Sequence, residues 1–312
     1  MTPMQPTRHP VEPFAESRFS RAVPRTAMTR SDTEGHEPAA SDTRGHPAGA
    51  RRAGRWCLLA TAVLLLPACA VFAATPSKEA IRDVGVPTQC NVPDDTAMID
   101  APLPRLAKKL KSSDTLTVVV IGSGSAVGSG TSRKEAAFPY RFETRLQKAY
   151  AKAKIRMVVL AAMGQTASLS YARIAKEVLP LKPALVIWQT GSADAARGVP
   201  VMEFGSALER GIGDLRDQGS DVLLVDSQFS PRASLLVNTD GYREAVRWNA
   251  RRYDLPLFKR YDTMQYWWSH EVFDLDAEDK ASQTENADRI HDCVAALLVR
   301  VVERGIGAGP KT

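Results

Sequence analysis

The sequence predicts an α/β domain in which a parallel sheet is covered by helices on both faces. Apolar, β-branched runs alternate with segments of helical period from residue 116 to residue 303. The runs are continuously apolar rather than alternating, as strands buried on both faces must be. Gly- and Ser-rich turns follow several of them, and in open sheets of this kind the loops beyond the strand ends carry function.

Each element has its own warrant. Leu116–Ile121 is the first strand, and it ends in the turn Gly122-Ser-Gly-Ser-Ala-Val-Gly-Ser-Gly130. Tyr140 to Lys154 is helical, with Phe142, Leu146 and Tyr150 on one face. Ile155–Ala161 is the second strand and Ala167–Leu179 the next helix. Pro183–Trp188 is the third strand, with Gly191-Ser-Ala-Asp194 directly after it. Met202–Gln218 is a helix weakened by Gly205, Gly211 and Gly213. Asp221–Val225, the helix Tyr242–Tyr253 and the short strand Leu255–Phe258 complete a sheet of five strands. Ala287–Glu303 closes the domain, with Ile290, Val294, Leu297, Leu298 and Val301 as its apolar stripe.

The N-terminal quarter reads differently. Residues 1–50 are rich in Pro, Thr, Ser, Arg and Gly, and too poor in large apolar residues to offset the entropy of ordering, so they are expected to be a disordered tail. In residues 51–74, Arg51, Arg52 and Arg55 precede an apolar run from Trp56 to Leu66, then Pro67-Ala-Cys-Ala-Val-Phe-Ala-Ala74. Charge, apolar run and small residues make a secretory signal, expected to be cleaved after Ala70 or Ala73. The alternative is an uncleaved inner-membrane anchor over residues 56–74. Either way the body is expected to be periplasmic or secreted. It divides into an N-terminal extension (75–113), the domain proper (114–305) and a flexible C-terminus (306–312).

Composition narrows the partners. The chain is 44% hydrophobic and 24% charged, an ordinary globular balance that excludes collagen, coiled coil and a polytopic membrane protein. The net charge of +6 is not gathered into a basic patch, so no nucleic-acid partner is expected. No His/Cys/Asp/Glu cluster has metal-site spacing, and no metal or cofactor is implied. The body has two cysteines, Cys90 and Cys293. In an oxidising compartment they favour one disulfide, with two buried free thiols as the alternative.

Serine chemistry is the reading of the first loop. It lacks the lysine of a phosphate-binding loop and the third glycine of a dinucleotide fingerprint. A tight strand-to-helix turn is a common carrier of a hydroxyl nucleophile, with a plain Gly/Ser connection as the alternative. Such a serine needs a base, and the body offers His270 and His291. His291 has Asp288 three residues upstream, within reach to fix its tautomer, whereas His270 has no such carboxylate. A capping or structural histidine is the plainer reading of His291. Tyr261, Tyr266, Trp267 and Trp268 are expected to pack a loop against the core, with a sugar-stacking platform as the alternative.

Taken together, the first-strand Gly/Ser loop, Gly164 after strand two, Gly191-x-x-Asp194 after strand three and Asp288-x-x-His291 resemble the SGNH (GDSL-type) hydrolases over residues 114–305. The segments Asp221–Pro231 and Leu257–Met264 also resemble exported members. The resemblance implies a flavodoxin-like three-layer α/β/α sandwich with a mostly parallel five-stranded sheet. It implies an acyl-enzyme on a first-loop serine, His291 as base and Asp288 as its orienting acid. The backbone amides of Ser125 and Gly164 would hold the oxyanion. Two departures stand out. Aligned on Gly122, the nucleophile position is Gly124; a shift of one residue makes it Ser125, with Ser123 second. The third-block asparagine is Ala193, whose side chain donates nothing, so Gln189, Ser192 or Gln228 would have to substitute. The function expected is an exported serine esterase acting on a small acyl ester, such as O-acetyl on an envelope carbohydrate or lipid. The alternative is an impaired domain that binds an acylated glycan without turnover.

Overall fold

The valine-rich run at residues 115–122 forms the centre of a six-stranded sheet in the computed structural model, which describes residues 85–112 and 115–308. The segments expected to be a disordered tail and an export signal, and the last four residues, lie outside the described residues. The strands are β1 (Met98–Ile99), β2 (Thr115–Gly122), β3 (Lys154–Ala161), β4 (Leu185–Gln189), β5 (Asp221–Val225) and β6 (Leu257–Phe258). Their order is β1-β6-β5-β4-β2-β3, and β2 through β6 are parallel. Counted without β1, this is the strand order of flavodoxin-like sheets. The five expected strands are all present. The sixth, β1, pairs antiparallel with β6 through two residues and extends the expected count of five.

Among the described residues, the helices of seven residues or more are α1 (Pro104–Leu110), α2 (Phe138–Ala149), α3 (Ala167–Arg173), α4 (Val201–Asp217), α5 (Asp240–Arg252), α6 (Arg260–Ser269) and α7 (Lys280–Gly307), and they cover the sheet. Side chains alternate across β2, so its two faces feed two cores. Leu116, Val118 and Val120 pack with α2 and α7 through Phe142, Leu146, Val294 and Leu298. Val119 and Ile121 pack with α4 and α5 through Phe204, Leu208, Ile212 and Val246. Full burial of each such side chain is worth about 2 kcal/mol.

Three boundaries differ from the sequence reading. Helix α2 stops at Ala149, and Lys154 already belongs to β3. Helix α7 runs from Lys280 to Gly307, because Asp279 caps its start by accepting from the Ser282 amide at 2.8 Å. The aromatic segment after β6 is helix rather than loop, with Arg260, Thr263, Met264 and Trp267 buried along one face. Residues from 88 onward, within the segment separated as an extension, pack into the first core through Cys90, Leu103 and Leu106. Cys90 and Cys293 form a disulfide with a Cα–Cα distance of 5.1 Å, which ties this segment to α7. Among the described residues no helix is long and apolar enough to cross a membrane.

Candidate active site

The carboxyl ends of the parallel strands converge on the residues singled out by sequence. After β2 the chain turns sharply: the Ala126 amide donates to the Ser123 carbonyl at 2.9 Å and the Ser129 amide to the Gly124 carbonyl at 2.9 Å. Ser123 and Ser125 are both buried. The Ser123 amide donates to Gln189 Oε1 at 3.0 Å, so the last residue of β4 holds the loop. Gly122 permits this approach, since a Cβ there would lie 2.7 Å from that oxygen.

The next two loops are shaped by left-handed glycines. Gly164 has φ +67°, and a Cβ on it would meet Arg197 Nη2 at 2.5 Å. Gly191 has φ +98° and leads into a short helix, Ser192–Ala196. In that helix Asp194 is fully buried and accepts from the Ala167 amide at 2.9 Å, which caps the start of α3. Burial raises its carboxyl above the usual carboxylate range. After β5, the Gln228 amide donates to Ser192 Oγ at 3.2 Å.

Ser123, Gly124, Ser125, Gly164, Gln189, Ser192 and Ala193 line one cleft of about 210 Å³. The first-loop serines, the second-loop glycine and the substitutes proposed for the missing asparagine therefore sit together. His291 lines a second cleft of about 310 Å³, which shares Ser129 and Gln228 with the first. His270 caps the end of α6, where its Nδ1 lies 2.9 Å from the Tyr266 carbonyl.

The serine and the histidine have other partners in the free chain. Ser125 Oγ accepts from Arg260 Nη1 at 2.5 Å. His291 Nδ1 accepts from the Phe138 amide at 2.9 Å. That amide opens α2 and has no acceptor within its own helix, so the imidazole caps it. Accepting at Nδ1 places the hydrogen of the neutral ring on Nε2. Burial, then the charges of Arg260 and Arg141, push the imidazole down to about 3. Asp288 is not on the imidazole. Its carboxylate accepts from the Ser132 amide at 2.9 Å and from the Ser132 hydroxyl at 2.5 Å. The i, i+3 spacing puts both side chains on adjacent helix positions, but an Nδ1 without a hydrogen has nothing to offer a carboxylate.

Arg260 was not singled out by sequence. It is 1% exposed and borders the second cleft. A charged residue at a helix start ordinarily reads as surface. The one signal was its place in a buried i, i+3, i+4, i+7 row with Thr263, Met264 and Trp267. Asp226 was missed as well. It is fully buried, accepts from the Tyr261 amide at 3.0 Å, and is raised by burial to about 7. Among the described residues no group of three His, Cys, Asp or Glu side chains is placed to hold a metal.

The sequence pattern of the Non-GDSL lipase-like family matches residues 89–308. The chain belongs to that family. No curated protein sequence matches it. Among solved structures, a two-domain esterase (CEX) active on acetylated mannans, co-crystallised with mannopentaose, shares the fold. Its TM-score is 0.55 at 18% identity, over 70% of this chain and 58% of that one. The same esterase without the ligand gives a TM-score of 0.53 at 19% identity, over 68% and 56%. The match thus spans little more than half of those two-domain chains. AlinE4, an SGNH-hydrolase family esterase, aligns with a TM-score of 0.44 at 21% identity, over 54% of this chain and 88% of that one. The two structures of the mannan-active esterase show that the Non-GDSL lipase-like chain shares their fold.

Proposed function

We propose that this member of the family is an exported ester hydrolase that removes a small acyl group from a carbohydrate or lipid of the cell envelope. The single observation that carries the reading is the first cleft, which gathers Ser125, Ser123, Gly164, Gln189 and Ser192 at the ends of β2, β3 and β4. Ser125 is the proposed nucleophile. The amides of Ser125 and Gly164 are the proposed oxyanion donors, supported by Gln189 and Ser192 at the position that Ala193 leaves without one. Loss of one such donor lowers rate by about 10²–10³. Turnover also requires His291 to shift its hydrogen from Nε2 to Nδ1, against the Phe138 amide, so the reaction is slow. Catalytic contacts are often formed only with substrate bound. The charged-then-apolar pattern of residues 51–74 supports export, and the activity of the two-domain esterase on acetylated mannans supports an acylated glycan as the substrate class.

A second reading has its own observation. Ser125 takes a hydrogen bond from a cation and His291 serves a helix amide, an arrangement suited to holding an acylated glycan without cleaving it. Fluorophosphonate labelling with peptide mapping separates the two. Labelling of Ser125, lost in Ser125→Ala and His291→Ala together with p-nitrophenyl acetate turnover, is the result expected of the hydrolase. No labelled serine and no turnover, with retained binding of an acetylated oligosaccharide, establishes the binding domain instead.

A further inference from the structure

Arg260 is a buried cation without an anion. Its guanidinium is almost completely shielded from solvent, and its bond to Ser125 joins it to a neutral hydroxyl. It is absent from every ion pair within 4.0 Å among the described residues, and its Nε has no hydrogen-bond partner. Asp226 is the acid whose field reaches it. That carboxyl already serves the Tyr261 amide, and burial keeps it protonated to about pH 7. An interior charge left without a counter-ion is strongly unfavourable. The guanidinium stays charged nonetheless, since burial lowers it only to about 10.

The same side chain borders the larger of the two clefts, which is open to solvent and adjoins the serine cleft, sharing Ser129 and Gln228 with it. We infer that this cleft binds a carboxylate, with Arg260 as its counter-ion. A planar guanidinium pairs best with a planar two-oxygen anion. Arg260 is the one cation lining this cleft among the described residues, His291 is neutral, and Asp274 lines the cleft without pairing with Arg260, so a monoanion fits better than a phosphate dianion. Asn286 and Gln228 line the cleft and add polar surface for the groups that carry the carboxylate. Two sources share this chemistry: the acid released by ester cleavage at Ser125, and the carboxylate of an acidic sugar. The inference needs no turnover, so it stands or falls apart from the hydrolase reading.

The test is calorimetric titration of the full chain with acetate and with galacturonate, each beside its neutral amide, acetamide and galacturonamide. At least one acid is expected to bind ~10-fold or more tightly than its counterpart, and to lose that advantage in Arg260→Gln while keeping part of it in Arg260→Lys. Tighter binding of galacturonate than of acetate identifies the acidic sugar. Equal or tighter binding of acetate identifies the released acid. Equal binding of acids and neutral counterparts by the parent protein overturns the inference, as does an advantage that persists in Arg260→Gln. Should Arg260→Gln fail to fold by circular dichroism, the parent comparison and Arg260→Lys decide the matter.

Discussion

The serine loop and the histidine turn of α7 form the two halves of the site, and they are held in opposite ways. The loop is pinned through its backbone, with the Ser123 amide on Gln189 and the 124–129 turn closed on itself. The helix turn is pinned through side chains: Asp288 on Ser132, His291 on Phe138 and Cys293 on Cys90. A backbone-pinned loop tolerates exchange of its side chains. In a side-chain-pinned turn each exchange removes a partner, at a cost set by how deeply that partner is buried.

The contrast breaks most sharply at the disulfide. Closing a loop of 203 residues is worth about 5 kcal/mol in the chain-entropy model. Cys293→Ser is therefore expected to lower Tm by about 10 °C or more in scanning calorimetry. A shift of only a degree or two would show that α7 is held by its apolar stripe alone.

His291 comes next. The folded imidazole takes a proton only near 3, the unfolded one near 6.5. Stability from this group is therefore present above pH 6.5 and is lost as pH falls towards 3, by on the order of 4 kcal/mol. Asp226 and Asp221 have the opposite sign. Burial raises them to about 7 and about 6, so their contribution is lost as pH rises from 3.8 through those values. The difference between parent and His291→Asn isolates the imidazole. Asparagine can still accept from the Phe138 amide, so in urea unfolding the gap between the two proteins is expected to shrink from pH 7 to pH 4. A gap independent of pH would place the imidazole in water. If His291 is the base, the same depressed value predicts that p-nitrophenyl acetate turnover has no acid limb near pH 6.5.

On the loop side, Gly124→Ser is expected to fold with little loss, because a Cβ there meets Met163 Sδ at 3.1 Å, the far end of an exposed, flexible side chain. The new hydroxyl enters the serine cleft, and turnover is expected to rise above the parent. A large drop in Tm would show that the loop is not the tolerant half.

The smallest effect belongs to Asp288→Ala. Its bonds to Ser132 are solvent-exposed, and such contacts are worth about 1 kcal/mol or less. Turnover is expected to fall less than about tenfold, against the ~10⁴ lost when a true orienting acid is neutralised. A loss of the larger size would show that Asp288 swings onto His291 when substrate binds.

Much of the fold was legible. Each parallel strand is a short apolar run bounded by turn residues, and the helices of residues 140–253 carry clear 3.6-residue stripes. Strand β1 was not legible because two paired residues carry no period. Helix α6 was missed because its buried row contains an arginine and a threonine, which break the apolar template. Serine loop, Gly164 and Gln189 were legible as neighbours, since strand ends in a parallel sheet converge. The partners of Asp288 and His291 were not. Helical spacing decides which residues share a face, while Ser132 and Phe138 reach that face from a segment more than 150 residues away in sequence.

The cystine has one more consequence. Leu235 and Leu236 are 86% and 88% exposed, on a short segment between β5 and α5. A protease cutting there would separate Cys90 from Cys293 along the backbone yet leave the pieces covalently joined. Nicked protein would migrate as one band on a gel until a reductant is added, and then as two.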